Sequence, residues 1–266
     1  MTQTLRAVGA HRSFASLRTI GALVLREMST TYGRTPGGYL WAILEPVGGV
    51  ALLSIIFSVT FSSPPIGTNF AIFYSTGVVP FMFYNDLSAK ISHSLAYSRP
   101  LLVYPAVTFV DAILARLITN MLSGLLVAFL VFLGIELLFD TRTQPNIGQI
   151  ALSLAMTIVF ALGVGTMNCY LFTAFPLWQK LWGILNRPLF IISCVFFVFD
   201  SLSKSFQAWL WYNPLVHIIG QMRHGFYYSY HADYVSPVYV FSVGLVLFTV
   251  GLALLLRYHR DLLSEM

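Results

Sequence analysis

The chain has 266 residues, of which 57% are hydrophobic and only 9% are charged. Ordinary soluble domains carry about 25% charged residues, so this sequence has too few polar side chains to cover a surface that faces water. The composition therefore excludes a soluble globular protein and predicts one all-α integral membrane domain. The formal net charge of +5 comes from basic residues scattered between apolar segments, which indicates membrane topology rather than nucleic-acid binding.

The N-terminal residues predict an amphipathic helix at the membrane interface. Between Phe14 and Met28 the apolar side chains recur on one helical face, while Arg26 and Glu27 fall on the opposite face. This pattern is typical of a helix that lies in the headgroup region. No signal-peptide core follows the first arginines, so we expect the N-terminus to stay in the cytoplasm. Residues 1–36 are predicted as a cytoplasmic and interfacial segment.

Six apolar segments predict six transmembrane helices within residues 37–256, followed by a cytoplasmic tail at residues 257–266. Most of them have about 20 residues, the length that crosses a hydrocarbon core of ~30 Å. The fifth has only about 12 and needs a turn or two from the residues after Trp182 to cross the bilayer. The predicted spans are Tyr39–Phe61, Phe70–Leu87, Val107–Leu138, Gln149–Phe175, Pro188–Phe199 and Val238–Leu256.

The connections between these spans differ in polarity. Ser88–Pro105 is too polar to lie in lipid, and Pro176–Arg187 is predicted as a short interfacial loop. The segment Asp200–Pro237 is rich in Trp, Tyr, His and Asn, and its middle, Leu215–Tyr230, is amphipathic. We predict one or two short re-entrant helices there, dipping into the outer leaflet. They must be buried against protein, because lipid cannot satisfy exposed backbone groups.

The basic residues separate between the two sides of this topology. Only Arg142, Lys204 and Arg223 fall on the outer side. Cytoplasmic loops carry an excess of Lys and Arg, so the distribution predicts that both termini lie in the cytoplasm. The cytoplasmic set is Arg6, Arg12, Arg18, Arg26, Arg34, Lys90, Arg99, Arg116, Lys180, Arg187, Arg257 and Arg260.

Catalytic and nucleotide-binding motifs are not found in the sequence. It has no GxxxxGK[ST] phosphate loop, no GxSxG and no HExxH, so the chain is not expected to hydrolyse ATP alone. His217, His224 and His231 recur every seven residues, whereas metal-binding pairs on a helix are three or four residues apart. We interpret them as a polar stripe and expect no metal site. Cys169 and Cys194 are interpreted as small core residues.

Charged and aromatic residues inside the spans leave two interpretations open. Glu45, Asp111 and Arg116 could form a proton or ion relay, or a structural ion pair near the cytoplasmic interface. We favour the structural role, because only Arg116 is expected to lie deep and ion-coupled carriers place acidic residues near the midplane. The aromatic residues, 15% of the chain, could pack against lipid and protein or line a path for sugars.

Four segments, taken in order, carry a family resemblance. They resemble the membrane subunits of type-2 ABC exporters, in particular capsular polysaccharide export permeases and their O-antigen relatives. The segments are LREMSTTYGRTPGGYLWAILEPV at Leu25–Val47, YSRPLLVYPAVTFVDAILARL at Tyr97–Leu117, FPLWQKLWGILNRPLF at Phe175–Phe190 and WYNPLVHIIGQMRHGFY at Trp211–Tyr227.

The resemblance implies an assembly in the bacterial inner membrane. Two copies of the chain would enclose a path, and two ATPase subunits docked underneath would bind ATP and Mg²⁺, with no cofactor on this chain. The substrate would be a lipid-linked, often acidic glycan. Periplasmic and outer-membrane polysaccharide export proteins would continue the route to the cell surface.

The resemblance also implies roles for individual residues. Ser94–Leu102 corresponds to the coupling helix that enters the ATPase cleft. The implied coupling contacts are Ser94, Tyr97, Arg99, Pro100 and Leu101. The interface helix and its turn would contribute Arg26, Glu27, Arg34 and the joint at Gly38. The substrate path would contain Arg34, Tyr39, Trp41, Tyr84 and Arg116, with Arg34, Arg99 and Arg116 forming a basic inner mouth. The outward helices would contribute Asn213, Pro214 and Arg223.

Other functions remain open from the sequence. Within the exporter class, the substrate could be an O-antigen, a teichoic acid or another lipid-linked or small molecule. A membrane-embedded enzyme that modifies lipid would need a convergent polar site, for which His217, His224 and His231 are the candidates. A scaffold or channel would need no ATPase partner.

Overall fold

A computed structural model describes residues 15–31, 38–102 and 107–265 of the chain. These ranges contain ten α-helices and one short 3₁₀ turn at Phe199–Ser201. The helices are α1 (Ala15–Thr31), α2 (Gly38–Thr60), α3 (Phe70–Ser92), α4 (Ser94–Leu102), α5 (Phe109–Leu138), α6 (Ile147–Ala174), α7 (Pro176–Ile192), α8 (Lys204–Leu210), α9 (Pro214–Phe226) and α10 (Pro237–Glu265).

Helices occur at the interface segment and at five of the six predicted spans, with bounds close to those expected. Helix α3 continues five residues beyond the predicted end at Leu87, and α10 continues through most of the predicted tail to Glu265. The predicted ends were placed where the apolar residues stop, but the helices continue through the polar residues that follow. The six-residue stretch that connects α1 to α2, which contains Arg34, lies outside the described residues.

The predicted loop at Pro176–Arg187 is wrong, because these residues form most of α7. Pro176 occupies the first helical turn, where a missing backbone N–H costs nothing and the fixed φ angle fits. The helix therefore begins 12 residues before Pro188, where the fifth span was predicted to start, which adds roughly 18 Å of helix. The final part of the predicted span, residues 193–198, is not helical.

Local sequence signals account for several helix starts. Thr108 and Asp111 form a capping box at α5, in which the Asp111 carboxylate accepts from the Thr108 backbone N–H at 3.0 Å. Asn69 and Asn146 accept backbone N–H groups at the starts of α3 and α6. These side chains satisfy donors that a helix terminus leaves unpaired.

Helix α6 lies at the centre of the fold and packs against α3, α9 and α10. Gly163 and Gly165 make these contacts possible. A Cβ atom on Gly163 would collide with the backbone of Gly244 in α10, and one on Gly165 would lie 3.0 Å from the Ser88 carbonyl oxygen in α3. Small residues therefore let α6 approach both neighbouring helices closely.

Different short helices pack at the two ends of the helix bundle. At one end, which we call the α1–α4 end, α1 packs against α5, and α4 packs against α3, α5 and α6. The Arg116 Nη1 atom donates to the Lys90 carbonyl there at 2.9 Å, and the His93 and Phe172 rings lie 5.5 Å apart. At the opposite end, the Asn146 N–H donates to the Gly225 carbonyl at 2.7 Å, so α9 lies against the start of α6.

Four helices of the described part of the chain are long and apolar enough to cross a membrane. They correspond to α2, α5, α6 and α10. Helices α2 and α5 expose large apolar side chains along much of their length, while α6 is mostly enclosed by other helices. Exposed leucine, isoleucine and phenylalanine side chains of this kind are suited to contact with lipid or with another protein chain.

Candidate functional site

A buried ion pair joins α1 to α5 at the α1–α4 end. Only 3% of Glu27 and 7% of Arg116 is exposed, and the Arg116 Nε atom lies 3.5 Å from the Glu27 Oε1 atom. Taking two charges out of water is costly, so each of them depends on the other and on further hydrogen bonds. The position of α1 on α5 is therefore fixed by charge as well as by apolar contact.

Hydrogen bonds from α5 complete this ion pair. The Asn120 Nδ2 atom donates to the Glu27 carboxylate at 3.0 Å and to the Arg116 carbonyl at 2.8 Å. Asn120 follows Arg116 by four residues, which puts both side chains on one face of the helix. With the bond from Arg116 to the Lys90 carbonyl, the arrangement connects α1, α3 and α5.

Tyr97 brings α4 into the same arrangement. The Arg116 guanidinium lies 3.9 Å and the Arg26 guanidinium 5.4 Å from the centroid of the Tyr97 ring. The Tyr97 hydroxyl also forms a hydrogen bond with the Thr30 hydroxyl of α1. Cations over an aromatic face are attracted by its quadrupole. We call this set the polar junction, and its members are Arg26, Glu27, Thr30, Tyr97, Arg116 and Asn120.

The structure corrects the predicted neighbours of Arg116. Arg116 does form an ion pair, but its partner is Glu27 and not Asp111 or Glu45 as predicted. Asp111 serves as a helix cap, and Glu45 is exposed on α2. Glu27 was predicted on the outer polar face of the interface helix and is instead buried. The amphipathic pattern of α1 alone could not reveal this, because the compensating cation lies 89 positions further along the chain.

Helix α4 has the bounds expected for the coupling helix. Ser94, Leu95 and Ser98 are buried against the bundle, while Arg99 and Pro100 are exposed. Leu101 is half-buried, as is Tyr97. One side of α4 is thus held by the polar junction and the other side is free to contact a partner.

A second buried arginine lies towards the opposite end of the molecule. Arg223 of α9 is 1% exposed, and its Nη1 and Nη2 atoms donate to the carbonyls of Phe197 and Val195 at 2.7 and 2.8 Å. The guanidinium also lies 4.5 Å from the centroid of the Phe73 ring. The non-helical segment 193–198 would otherwise leave these two carbonyls without partners in the interior.

The end of α7 explains why this segment leaves the helix. Cys194 has a φ of 62°, the left-handed conformation that often terminates helices. The Asn213 side chain, which also caps the start of α9, donates to the Ile192 carbonyl at 3.2 Å. Pro214 occupies the first turn of α9. The predicted short helices are confirmed as α8 and α9, and α9 is buried against protein along almost its whole length.

The histidines of this region bond within the protein. The Ser236 N–H donates to the His217 Nδ1 atom at 3.1 Å, so the His217 Nε2 atom carries the proton and donates to the Trp211 carbonyl at 2.7 Å. His224 forms a hydrogen bond of 2.7 Å with the Tyr230 carbonyl. Among the residues that the structure describes, no group of three or more His, Cys, Asp or Glu side chains could hold a metal ion. Cys169 and Cys194 are buried.

The sequence of this chain is similar to a known family of membrane proteins. A sequence model of the ABC-2 type transporter family matches residues 18–227, a range that contains the polar junction, α4 and α9. The chain belongs to this family. It is 31% identical over 236 residues to the polysialic acid transport protein KpsM of Escherichia coli, covering 89% of this chain and 92% of the relative.

Two further relatives of this ABC-2 type transporter have related names. The capsule polysaccharide export inner-membrane protein CtrC of Neisseria meningitidis serogroup B is 27% identical over 244 residues. The capsule polysaccharide export inner-membrane protein BexB of Haemophilus influenzae is 25% identical over 244 residues. Each alignment covers 91% of this chain and 92% of the relative.

The structure does not bring together the described residues that were predicted to form the substrate path of this ABC-2 type transporter. Tyr84 is buried and stacks on Phe160 at 5.1 Å, so it packs in the core. Trp41 is 67% exposed on α2, while Arg116 is enclosed by the polar junction. Gly38 begins α2. Arg34 lies outside the described residues, and so does the side chain of Tyr39.

Polar side chains on α2, α3 and α7 form a feature that the sequence did not predict. A groove of about 620 Å³ between α2, α3 and α5 is lined in part by Trp41, Glu45, Asp86 and Lys90. Beside it, the Asn186 side chain of α7 donates to that of Asn85 on α3. The nearest signal in the sequence is a repeat of two polar pairs, Gln179–Lys180 and Asn186–Arg187, seven residues apart. The prediction of a loop concealed it.

Proposed function

We propose that this ABC-2 type transporter is the membrane permease of an ATP-driven exporter of capsular polysaccharide in the bacterial inner membrane. The names of KpsM, CtrC and BexB support the substrate class, since each alignment covers nearly the whole length of both proteins. The mechanism rests on the two different sides of helix α4. Its inner side is tied to the polar junction, and its outer side exposes Arg99.

In this proposal the chain crosses the bilayer six times and both termini lie in the cytoplasm. The spans are α2, α3, α5, α6, α10 and a fifth span made of α7 and the segment 193–198. Helix α3 has 23 residues and reaches about 34 Å, enough to cross the ~30 Å hydrocarbon core. The cytoplasmic side is the α1–α4 end, an orientation that the positions of the basic residues support.

The working unit in this proposal is a homodimer with two ATPase subunits, which hold the ATP and Mg²⁺. None of the side chains of α7 is buried by its own chain, and α2 exposes large apolar residues. A second copy that packs on this side would cover these surfaces and enclose the path. Periplasmic and outer-membrane export proteins receive the polymer beyond the inner membrane.

The coupling step follows from the contacts of α4. Closure of the ATPase subunits on ATP displaces α4, and Tyr97 moves with it. Because Tyr97 contacts Arg116 of α5 and Thr30 of α1, the displacement reaches a transmembrane span and the interface helix together. The joint between α1 and α2 at Gly38 then passes the motion to the first span.

The substrate in this proposal is a lipid-linked glycan that enters from the cytoplasmic side. Arg34 and Arg99 supply the positive charge of the inner mouth, which attracts carboxylates and phosphates. Arg116 contributes to the coupling step instead, because Glu27 neutralises its charge. Trp41 offers an exposed aromatic face on which a sugar ring can stack.

Reversing one charge on the outer side of α4 tests this function. In the complex purified with its ATPase, Arg99→Glu is expected to reduce surface polymer by about tenfold or more, because like charges at a docking surface oppose association. The amount of ATPase that copurifies should fall as well. Arg142→Glu, an equally exposed arginine at the opposite end, should leave both unchanged. Normal export and normal copurification in Arg99→Glu would contradict the proposed coupling contact.

A further inference from the structure

The side chains of α7 have three kinds of surroundings around the helix axis. One side packs on the bundle, where the Trp178 Nε1 atom donates to the Asn168 Oδ1 atom at 3.0 Å and the Phe190 ring lies 4.9 Å from that of Phe81. The opposite side exposes apolar residues such as Ile184 and Ile191. The helix therefore borders the bundle and leaves more than half of its surface for something other than its own chain.

Two cations lie together on the boundary between these sides. Lys180 and Arg187 are both exposed and are seven residues apart, so they point the same way two turns, or about 10 Å, apart along the helix. The sequence of α7, PLWQKLWGILNRPLFII, contains no Asp or Glu. This edge of α7 is therefore purely cationic.

Arg187 lies within α7 and not at its end, and in the topology proposed above it belongs to the fifth span. Its neighbour Asn186 bonds to Asn85, which is seven residues, or about 10 Å, before the last residue of α3. Arg187 itself is about 17 Å along α7 from Pro176. A charged side chain at this depth is costly in lipid and almost always faces protein or a water-filled space.

Nothing in the described part of the chain neutralises Arg187. Arg187 takes no part in the ion pairs of Glu27 with Arg116 and of Asp140 with Arg142. Arg223, the other deep arginine, is enclosed and donates to two carbonyls, whereas Arg187 is exposed. Arg187 is therefore exposed and open to a partner from outside these residues.

We propose that Lys180 and Arg187 line the translocation path and bind the acidic groups of a polyanionic glycan as it passes. The proposal rests on the function proposed above and adds the substrate class and the residues that recognise it. A guanidinium donates two parallel hydrogen bonds to a carboxylate or phosphate. Two cations in one line can hold successive acidic groups of one polymer, which a single lipid headgroup at the interface cannot offer.

The polymer named for one relative has the chemistry that this cationic edge would bind. KpsM is named as a polysialic acid transport protein, and each sialic acid residue carries a carboxylate. A lipid phosphate could reach Lys180 near the start of α7 by attraction to its flexible side chain. It would not reach the deeper Arg187. The repeated charge of a polymer therefore accounts for both residues.

Binding of a short polysialic acid oligomer to the complete complex in lipid nanodiscs tests the assignment. Arg187→Gln is expected to weaken binding at least about tenfold and to lower surface polymer, while assembly with the ATPase stays normal. Arg187→Lys should retain most of the affinity. Lys180→Gln should weaken binding less, and Arg142→Gln should have no effect. Dextran of the same length, which is neutral, should be insensitive to all four substitutions.

The outcomes separate this inference from the proposed function. If the wild-type complex exports polymer and Arg187→Gln binds and exports equally well, the inference is wrong and the function stands. A similar loss in Arg142→Gln, or a loss of dextran binding in Arg187→Gln, would also overturn it. If the wild-type chain neither copurifies with an ATPase nor supports export, the proposed function fails and this inference fails with it.

Discussion

The two buried arginines of this transporter are satisfied in different ways. Arg223 donates to the backbone carbonyls of Val195 and Phe197, which lie within 30 residues of it in the chain. Arg116 is paired with a carboxylate from α1 and lies over a ring from α4. One arginine bonds to the non-helical segment that follows α7, and the other joins α1, α3 and α4 to α5.

The difference indicates which arginine belongs to a moving part. The carbonyls bonded by Arg223 would lose these donors if the side chain left, so we expect its contacts to persist during transport. Glu27 and Arg116 lie at the α1–α4 end, where a shift of α1 or α4 would return their charges to water. The free-energy cost of separating the pair is then limited, because water replaces the lost partner. In the proposed coupling step the polar junction opens and closes, whereas the contacts of Arg223 stay in place.

The largest effect is expected from removing Arg223. Arg223→Met leaves two buried carbonyls unpaired, at about 1–3 kcal/mol each. The thermal unfolding temperature of the purified protein should fall sharply, and surface expression should be lost. Arg223→Lys should recover part of the stability, because an ammonium can bond to one of the carbonyls. Arg142→Met, at an exposed arginine, serves as the control. An unchanged unfolding temperature in Arg223→Met would show that another group satisfies the broken span.

Removing the ring of Tyr97 should have a smaller and more specific effect. Tyr97→Ala removes the surface beneath Arg116 and Arg26, worth about 0.5–2 kcal/mol in cation–π energy. ATP hydrolysis should continue while polymer export falls. Tyr97→Phe keeps the ring and loses only the hydrogen bond to Thr30, so export should remain close to the wild-type level. Equal export by Tyr97→Ala and Tyr97→Phe would mean that the ring does not link α4 to α5.

The smallest effect is a pH dependence at His93, next to the polar junction. Burial and the nearby Arg116 guanidinium lower the pKa of His93 below its ordinary value of 6.5. The unfolded state therefore binds a proton more readily, and stability should decrease as the pH falls below about 6.5. Because His93 is only half-buried, we expect less than about 1 kcal/mol.

Thermal unfolding at pH 7.5 and pH 5.5 measures this effect. His93→Gln, which does not titrate, should lose less stability on acidification than the wild type. If acidification lowers the unfolding temperature of both proteins by the same amount, another group is responsible.

The sequence predicted most of the fold for simple physical reasons. Uninterrupted apolar runs of the right length are a strong signal, and helices occur at five of the six predicted spans, four of them long and apolar enough to cross a membrane. The start of α7 was predicted too late, because Lys180 and Arg187 resemble loop residues when each is considered as a single polar position. Their spacing of seven residues is compatible with one edge of an amphipathic helix, and that periodicity carried the missing information.

The partners of the buried charges could not be predicted from local patterns. Glu27 appeared solvent-facing because its neighbours on α1 are polar, and only the packing of α1 against α5 shows otherwise. Arg223 appeared to be one of three outer charges that orient the chain. Its role became visible only when residues 193–198 were found to leave the helical conformation. In both cases the decisive contact depends on tertiary packing between distant elements.

The most direct test of the polar junction replaces its ion pair by two apolar side chains of similar length. Glu27→Met and Arg116→Met should each destabilise the protein by about 3–5 kcal/mol, because one buried charge is left alone, and the double variant should recover most of that loss. If the junction transmits motion, the double variant will fold, bind its ATPase and hydrolyse ATP, yet export little polymer. Wild-type export by the stable double variant would contradict the central claim.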